Sequence, residues 1–343
     1  MLTVQVNLHT IAKNVATIKK YLHGKTKLCA VVKANAYGLG LVRIGKLLDP
    51  IVDCLAVATV AEGVTLRQVG IHKDILILGI CDDIATACQY DLIITVENIR
   101  QAQWLHQKKL HPRIHLAVNT GMNRFGLSSV YEWRATLQLL AHERVEGIYT
   151  HLAYEADHST AVKSALERFQ KFVCIAQKYF PKAMLHAGCS GVLNYPAAHF
   201  DMIRVGKALY GGIPETQTAL TVTSQIIAVK KIKAGSTVGY HGTFTATDIT
   251  VIGIVRGGYA NGVPMQFGNT IQVLVGKQRC PIIGRICMDY FFIDVSKVTK
   301  PLGQTVTLIA PNHGQDLFNI AKQAKMVTCD LLLGFGKKPI NLT

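Results

Sequence analysis

The chain has 343 residues, 49% apolar and 17% charged, a globular composition long enough for about two domains. Lys and Arg exceed Asp and Glu by 37 − 21 = 16. The basic residues stand as singles and pairs such as Lys19-Lys20 and Lys230-Lys231, without the aromatic-interleaved clusters of a nucleic-acid surface, so a solvated basic surface and no nucleic-acid partner are expected. No apolar run approaches the ~20 residues that cross a bilayer, and the N-terminus lacks the apolar region of a signal peptide. The nine cysteines follow no CxxC or metal-like spacing, so no disulfide framework and no metal are expected, and a reducing cytoplasm fits.

Residues 2 to 8 alternate Leu2, Val4, Val6 and Leu8 against polar neighbours, the period of a half-buried strand. A helix follows, with Thr10 expected as its cap and Ile11, Val15, Ile18 and Leu22 on one face. Eight short apolar runs then alternate with helical segments, near 27-32, 53-58, 75-79, 91-96, 112-118, 145-151, 183-187 and 201-205. The clearest helix is 160-180, with Val162, Leu166, Phe169, Phe172, Val173, Ala176 and Phe180 in one stripe. This α/β rhythm predicts a (β/α)8 barrel over 9-215, with an open doubly wound sheet as the alternative. After Gly212 the texture becomes Val-, Ile- and Thr-rich with Gly, Pro and Asn turns, which predicts a mostly β domain over 216-343, joined by residues 1-8 and interrupted by a helix near 315-326.

Working groups of barrel enzymes stand at the C-terminal ends of the strands. Lys33 ends the first, Asn119 and Arg124 follow the fifth, His151 ends the sixth, His186 and Ser190 follow the seventh, and Arg204 and Gly206 end the eighth. Taken singly, the histidines read as core or loop residues, Arg124 as half of a salt bridge and Ser190 as a helix cap. Together they outline a basic pocket, in which the loop at Gly206-Lys207 offers amide groups to a phosphate. A lysine, a phosphate loop and an arginine suit pyridoxal 5'-phosphate.

VVKANAYGLG at 31-40 resembles the cofactor signature of the fold-type III alanine racemases. NTGMNRFGL at 119-127, YTHLA at 149-153, IRVGKALYG at 203-211, VGYHGTF at 238-244, GGYANG at 257-262 and GRICMD at 284-289 continue the likeness. The resemblance implies a homodimeric amino-acid racemase with two bases. Lys33 would carry the cofactor and serve one face of Cα; Tyr240, from the second subunit and beside His151, would serve the other. It further implies Tyr37, Ser190, Gly206 and Lys207 at the phosphate, Arg204 at the pyridine nitrogen, Arg124 and Met288 at the substrate carboxylate, and Tyr259 and Arg285 in the entryway. L- and D-alanine are the expected substrates, with cell-wall supply as the role. Serine is the alternative, and a non-catalytic pyridoxal-phosphate carrier a lesser one.

The likeness is broken at several positions. Ala117 stands where many members carry a lysine that orients the carboxylate-binding arginine, so Arg124 needs another partner, with Asn119 or an anion as candidates. Leu39 and Cys189 replace a histidine and an asparagine. Cys329 takes the place of a tyrosine beside the phosphate, which frees volume near Tyr240 and is the reason serine is carried as the alternative.

Overall fold

The structure is a computed structural model that describes residues 2–108, 110–312, 314–337 and 340–342. Met1 and Thr343, the outer limits of the expected β domain, lie outside the described residues. The chain divides into two compact units. One comprises Val15–Ala36 and Leu41–Leu209; the other comprises the residues up to Asn14, Tyr37–Gly40 and the chain from Tyr210 onward.

The first unit is built on eight strands: β2 (Lys27–Val31), β3 (Cys54–Val57), β4 (Asp74–Ile80), β5 (Ile93–Val96), β6 (Arg113–Val118), β7 (Arg144–Thr150), β8 (Met184–His186) and β9 (Met202–Val205), numbered after β1 (Thr3–Val6). All pair in parallel, in the order β8-β7-β6-β5-β4-β3-β2-β9. The ring closes between β8 and β9 through Asp201 N to Leu185 O and Arg204 N to Gly188 O, both 3.0 Å. Parallel strands need crossovers, and the intervening helices supply them. Cys29, Val31, Cys54, Ala56, Leu76, Ile93 and Met202 form one apolar cluster. Register explains it: Cys29 faces Cys54, Val31 faces Ala56, and Ala56 faces Leu76.

The second unit contains β1 with β10 (Leu220–Ile232), β13 (Thr250–Arg256), β14 (Gln272–Val275), β15 (Gln278–Ile283), β16 (Tyr290–Asp294), β17 (Thr305–Ile309) and β18 (Ile340–Leu342), and a small hairpin of β11 (Thr237–Val238) and β12 (Phe244–Thr245). The large sheet runs β13-β16-β15-β14-β17-β10-β1-β18, and β13 also pairs with β10. Here β1 lies antiparallel to β10, Val4 opposite Val222, and parallel to β18.

Three local expectations are corrected. Thr10 is not the cap of the first helix: the helix starts at Leu8, and Asn7 Oδ1 accepts from Thr10 N at 2.8 Å. An Asn one residue ahead of the helix reaches the third amide, which a threonine already inside the first turn cannot do. The helix expected over 160-180 is Ser159–Ala176. The single helix expected near 315-326 is Leu317–Gln323, capped by Asp316 on Asn319 N at 2.9 Å, and a second helix, Thr328–Phe335, follows it.

Candidate active site

Lys33 is the second residue past β2, half-buried, where the pairing is extended by Val32 N to Ala56 O at 2.8 Å. The chain then makes a left-handed turn: Ala34, Asn35, Ala36 and Tyr37 have φ of 54°, 56°, 54° and 58°. For an L-residue this conformation costs about 1–2 kcal/mol each, so the turn exists only because neighbours hold it. Asn35 Oδ1 accepts from Leu41 N at 2.8 Å. The Glu62 carboxylate takes Asn35 N at 3.1 Å with one oxygen and Ala58 N, just past β3, at 2.9 Å with the other. Glu62 thereby clamps the backbone beside Lys33 to the next strand.

The turns after β8 and β9 form a cradle of amides. Ser190 Oγ accepts from Gly206 N at 3.1 Å and Ala208 N at 3.3 Å. Its hydroxyl proton, with these amides once they turn from Oγ, would supply the donor set that a phosphate monoester requires. Lys207 Nζ pairs with Glu155.

Arg204 is buried in the barrel, with no carboxylate on it among the described residues. Its Nη1 donates to His186 Nδ1 at 2.6 Å and to His186 O at 3.1 Å, and Nη2 donates to Thr150 O at 2.7 Å. Because arginine only donates, His186 Nδ1 is the acceptor and its proton sits on Nε2, which donates to His115 Nδ1 at 2.9 Å. Burial, then the Arg204 charge, holds His186 well below the usual imidazole range; burial, then Arg113 and Arg204, holds His115 at about 3. Tyr149 stacks on His186 at 4.9 Å and lies 4.9 Å from the guanidinium carbon. Its hydroxyl is bonded to Thr95 Oγ1 at 3.2 Å, and Thr95 in turn donates to Ile77 O. Nε and one N–H of Nη2 keep no partner among the described residues, which fits a ring nitrogen that accepts.

His151 directly follows β7, and burial, then Arg204, Arg124 and Lys33, lowers it to about 3. It is a neutral imidazole among three cations. Arg124 lies on an exposed loop, 5.8 Å above the Phe125 ring. The expected partner Asn119 is engaged elsewhere: its Oδ1 accepts from Gly121 N at 3.0 Å and Asn123 N at 3.1 Å, and its Nδ2 donates to Asn123 Oδ1 at 3.0 Å. Asn119 shapes the loop instead of orienting Arg124. The register Val96 to Leu116 carries Glu97 to the place beside buried Ala117, and Glu97 Oε2 is buried without a hydrogen-bond partner among the described residues.

The strand-rich unit gathers Tyr240, Tyr259, Arg285 and Met288. Tyr259 N and Ala260 N donate to Cys287 O and Met288 O at 3.0 and 3.1 Å. A side chain on Gly258 would meet Cys287 O at 2.1 Å, so only glycine permits this approach. Gly239, at φ 74°, brings the Tyr240 turn to the Arg285 backbone. Tyr240, Tyr259 and Met288 are exposed at 65%, 45% and 53%, a large exposed apolar group of the kind that marks an interaction face. Tyr37 belongs to the same unit, its ring 5.5 Å from that of buried Tyr210. Burial, then Tyr37 and Cys329, raises the Tyr210 phenol.

A parallel eight-stranded barrel with a lysine and a buried arginine at its strand ends, followed by a mostly antiparallel domain with an exposed tyrosine, defines a two-domain barrel protein. Residues 6–214 match the family model "Alanine racemase, N-terminal domain", and 219–341 match "Alanine racemase, C-terminal domain". An alanine racemase of Streptococcus pneumoniae (strain Taiwan19F-14) is 35% identical over 331 residues, covering 92% of this chain and 89% of that protein. The alanine racemase of E. faecalis superposes with a TM-score of 0.88 at 29% identity, covering 100% of this chain and 98% of that one. The biosynthetic alanine racemase of Pseudomonas aeruginosa gives 0.91 at 27%, covering 100% and 99%. The chain belongs to the alanine racemase family.

Proposed function

We propose that the protein is a cytoplasmic, homodimeric racemase that interconverts L- and D-alanine with pyridoxal 5'-phosphate. The observation that carries the reading is Lys33 itself, clamped at the end of β2 near enough to His151 for the two to interact electrostatically, in a chain that matches the family along both domains. Nine cysteines that form no disulfide among the described residues are at home in a reducing compartment. When bound, the cofactor supplies a conjugated ring that accepts electron density from Cα.

The protein's own groups do the rest. Ser190 and the backbone of Gly206 and Ala208 would hold the phosphate. The Arg204 guanidinium would face the ring nitrogen and, as a permanent cation, would oppose its protonation, which would limit electron withdrawal and favour return of the proton over side reactions. Arg124 takes the substrate carboxylate, with the Met288 amide of the second subunit. Lys33 takes or returns the proton on one face of Cα. Tyr240 of the second subunit serves the opposite face, with Tyr259 and Arg285 along the approach. Two opposed groups invert the centre without rotating it.

Incubation with L-alanine or L-serine in deuterated water tests this. Loss of optical rotation with deuterium entry at Cα, faster for alanine, is expected; no exchange with either overturns the racemase reading. Tyr240→Phe should slow both directions while the absorbance of the bound cofactor persists. Equal turnover in that variant would remove Tyr240 as the second base.

A further inference from the structure

We infer that Glu155 tunes the phosphate cradle: its carboxylate holds the Lys207 amine in an ion pair, so that a phosphorylated ligand must compete with Glu155 for the cation that the cradle's own turn carries. The inference rests on the cofactor reading above. Lys207 lies in sequence between Gly206 and Ala208, the two amides gathered on Ser190 Oγ. Glu155 lies across the other half of the cradle. A side chain added at Gly191, next to Ser190, would stand 2.7 Å from Glu155 Cγ and 3.0 Å from Cδ. The carboxylate therefore lies flat on the Ser190–Val192 turn and reaches Lys207 on the Lys207–Tyr210 turn. The thiol of Cys189 feels both, Lys207 lowering and Glu155 raising it beneath a larger effect of burial.

The signs decide the consequence. A phosphate monoester carries about −1.5 to −2 near neutral pH. Lys207 alone would attract it and Glu155 alone would repel it; as a pair they contribute almost nothing. The amine side chain is 23% exposed and the carboxylate 59%, so the pair is open enough to exchange partners and its energy is modest. Glu155 thus weakens retention of a phosphorylated ligand by keeping Lys207 occupied, while the amides still define where the phosphate sits.

The test is a double-mutant cycle on the full chain stripped of cofactor. The dissociation constants of pyridoxal phosphate and of unphosphorylated pyridoxal are read from the absorbance of the bound chromophore. Glu155→Gln should tighten pyridoxal phosphate about fivefold, the effect of a partly exposed charge. Lys207→Met, which strands the carboxylate beside the phosphate, should weaken it by about the same factor, and the double variant should return close to wild type. Pyridoxal should bind all four forms alike. Equal or weaker binding of pyridoxal phosphate by Glu155→Gln overturns the inference, as does an equal shift for pyridoxal. If wild type binds pyridoxal phosphate no better than pyridoxal, the cradle itself is misassigned and both readings fall. Thermal melting of the stripped proteins, with Glu155→Ala as a second neutral variant, separates loss of fold from loss of charge.

Discussion

The Arg204 guanidinium donates to His186 Nδ1 at 2.6 Å, and that one bond sets the proton positions of two buried imidazoles. Among the described residues this cation in the barrel is held by neutral acceptors: an imidazole, two carbonyls and the face of Tyr149. Replacing His186 by Phe leaves an arginine N–H buried and unmet. The expected loss is about 1–3 kcal/mol of unfolding free energy, measured in urea on the cofactor-free protein, and His186→Asn, which keeps an acceptor, should recover part of it.

The same burial makes stability depend on pH in a defined direction. His115, His151 and His186 have folded pKa values depressed below the ordinary imidazole value. Their contribution is therefore fully present above about pH 6.5 and is lost as pH falls, toward about 3 for His115 and His151, because the unfolded chain takes up protons that the folded one refuses. Each should add a slope of about 1.4 kcal/mol per pH unit within that window. Proton uptake on unfolding near pH 5 should drop by about one when His115 is replaced by Gln.

Glu97 works in the opposite sense. Burial raises its carboxyl, so the stability linked to it is present below the unfolded pKa and lost as pH rises through the folded one. Glu97→Gln removes the buried charge and should raise the melting temperature at pH 7.5 by roughly 1–3 °C, with the gain gone near pH 4. A gain that is the same at both pH values would show that charge is not the cause.

Glu62 clamps the left-handed turn, which stores strain beside the reactive amine. Glu62→Ala should loosen Ala34 to Tyr37 and slow the capture of pyridoxal phosphate by Lys33, followed by stopped-flow absorbance, by about tenfold or more. Substituting Asn35 with Val should do the same, since a β-branched residue disfavours positive φ, whereas Asn35→Gly should be tolerated better.

Gly258→Ala drives a methyl into Cys287 O. The Tyr259 turn would have to leave the Cys287-Met288 backbone, so KM for alanine should rise with a smaller change in kcat if Tyr259 lines the approach. An unchanged KM would separate Tyr259 from the substrate path.

Much of this was readable along the chain. The rhythm of apolar runs located the eight barrel strands and put Lys33 at the end of the first, because period and length of burial are properties of neighbouring residues. The same holds for the Val- and Thr-rich strands after Gly212. The turn at Ala34 to Tyr37 was hidden, since alanine prefers the right-handed helix and the bonds that hold the other hand include one from Glu62, 27 residues away from Asn35. Asn119 looked available to Arg124 because a sequence does not show that an amide is already spent on its own loop.

The sequence by itself determined the order of the strands, the amine at the barrel mouth and the family motifs, all of them local patterns. Tertiary structure alone decided charge and proton placement. His115 and His186 stand 71 residues apart, and Lys207 and Glu155 stand 52 apart. Closing the barrel strips these groups of water and gives each its partner, and desolvation with a fixed partner is what sets a protonation state.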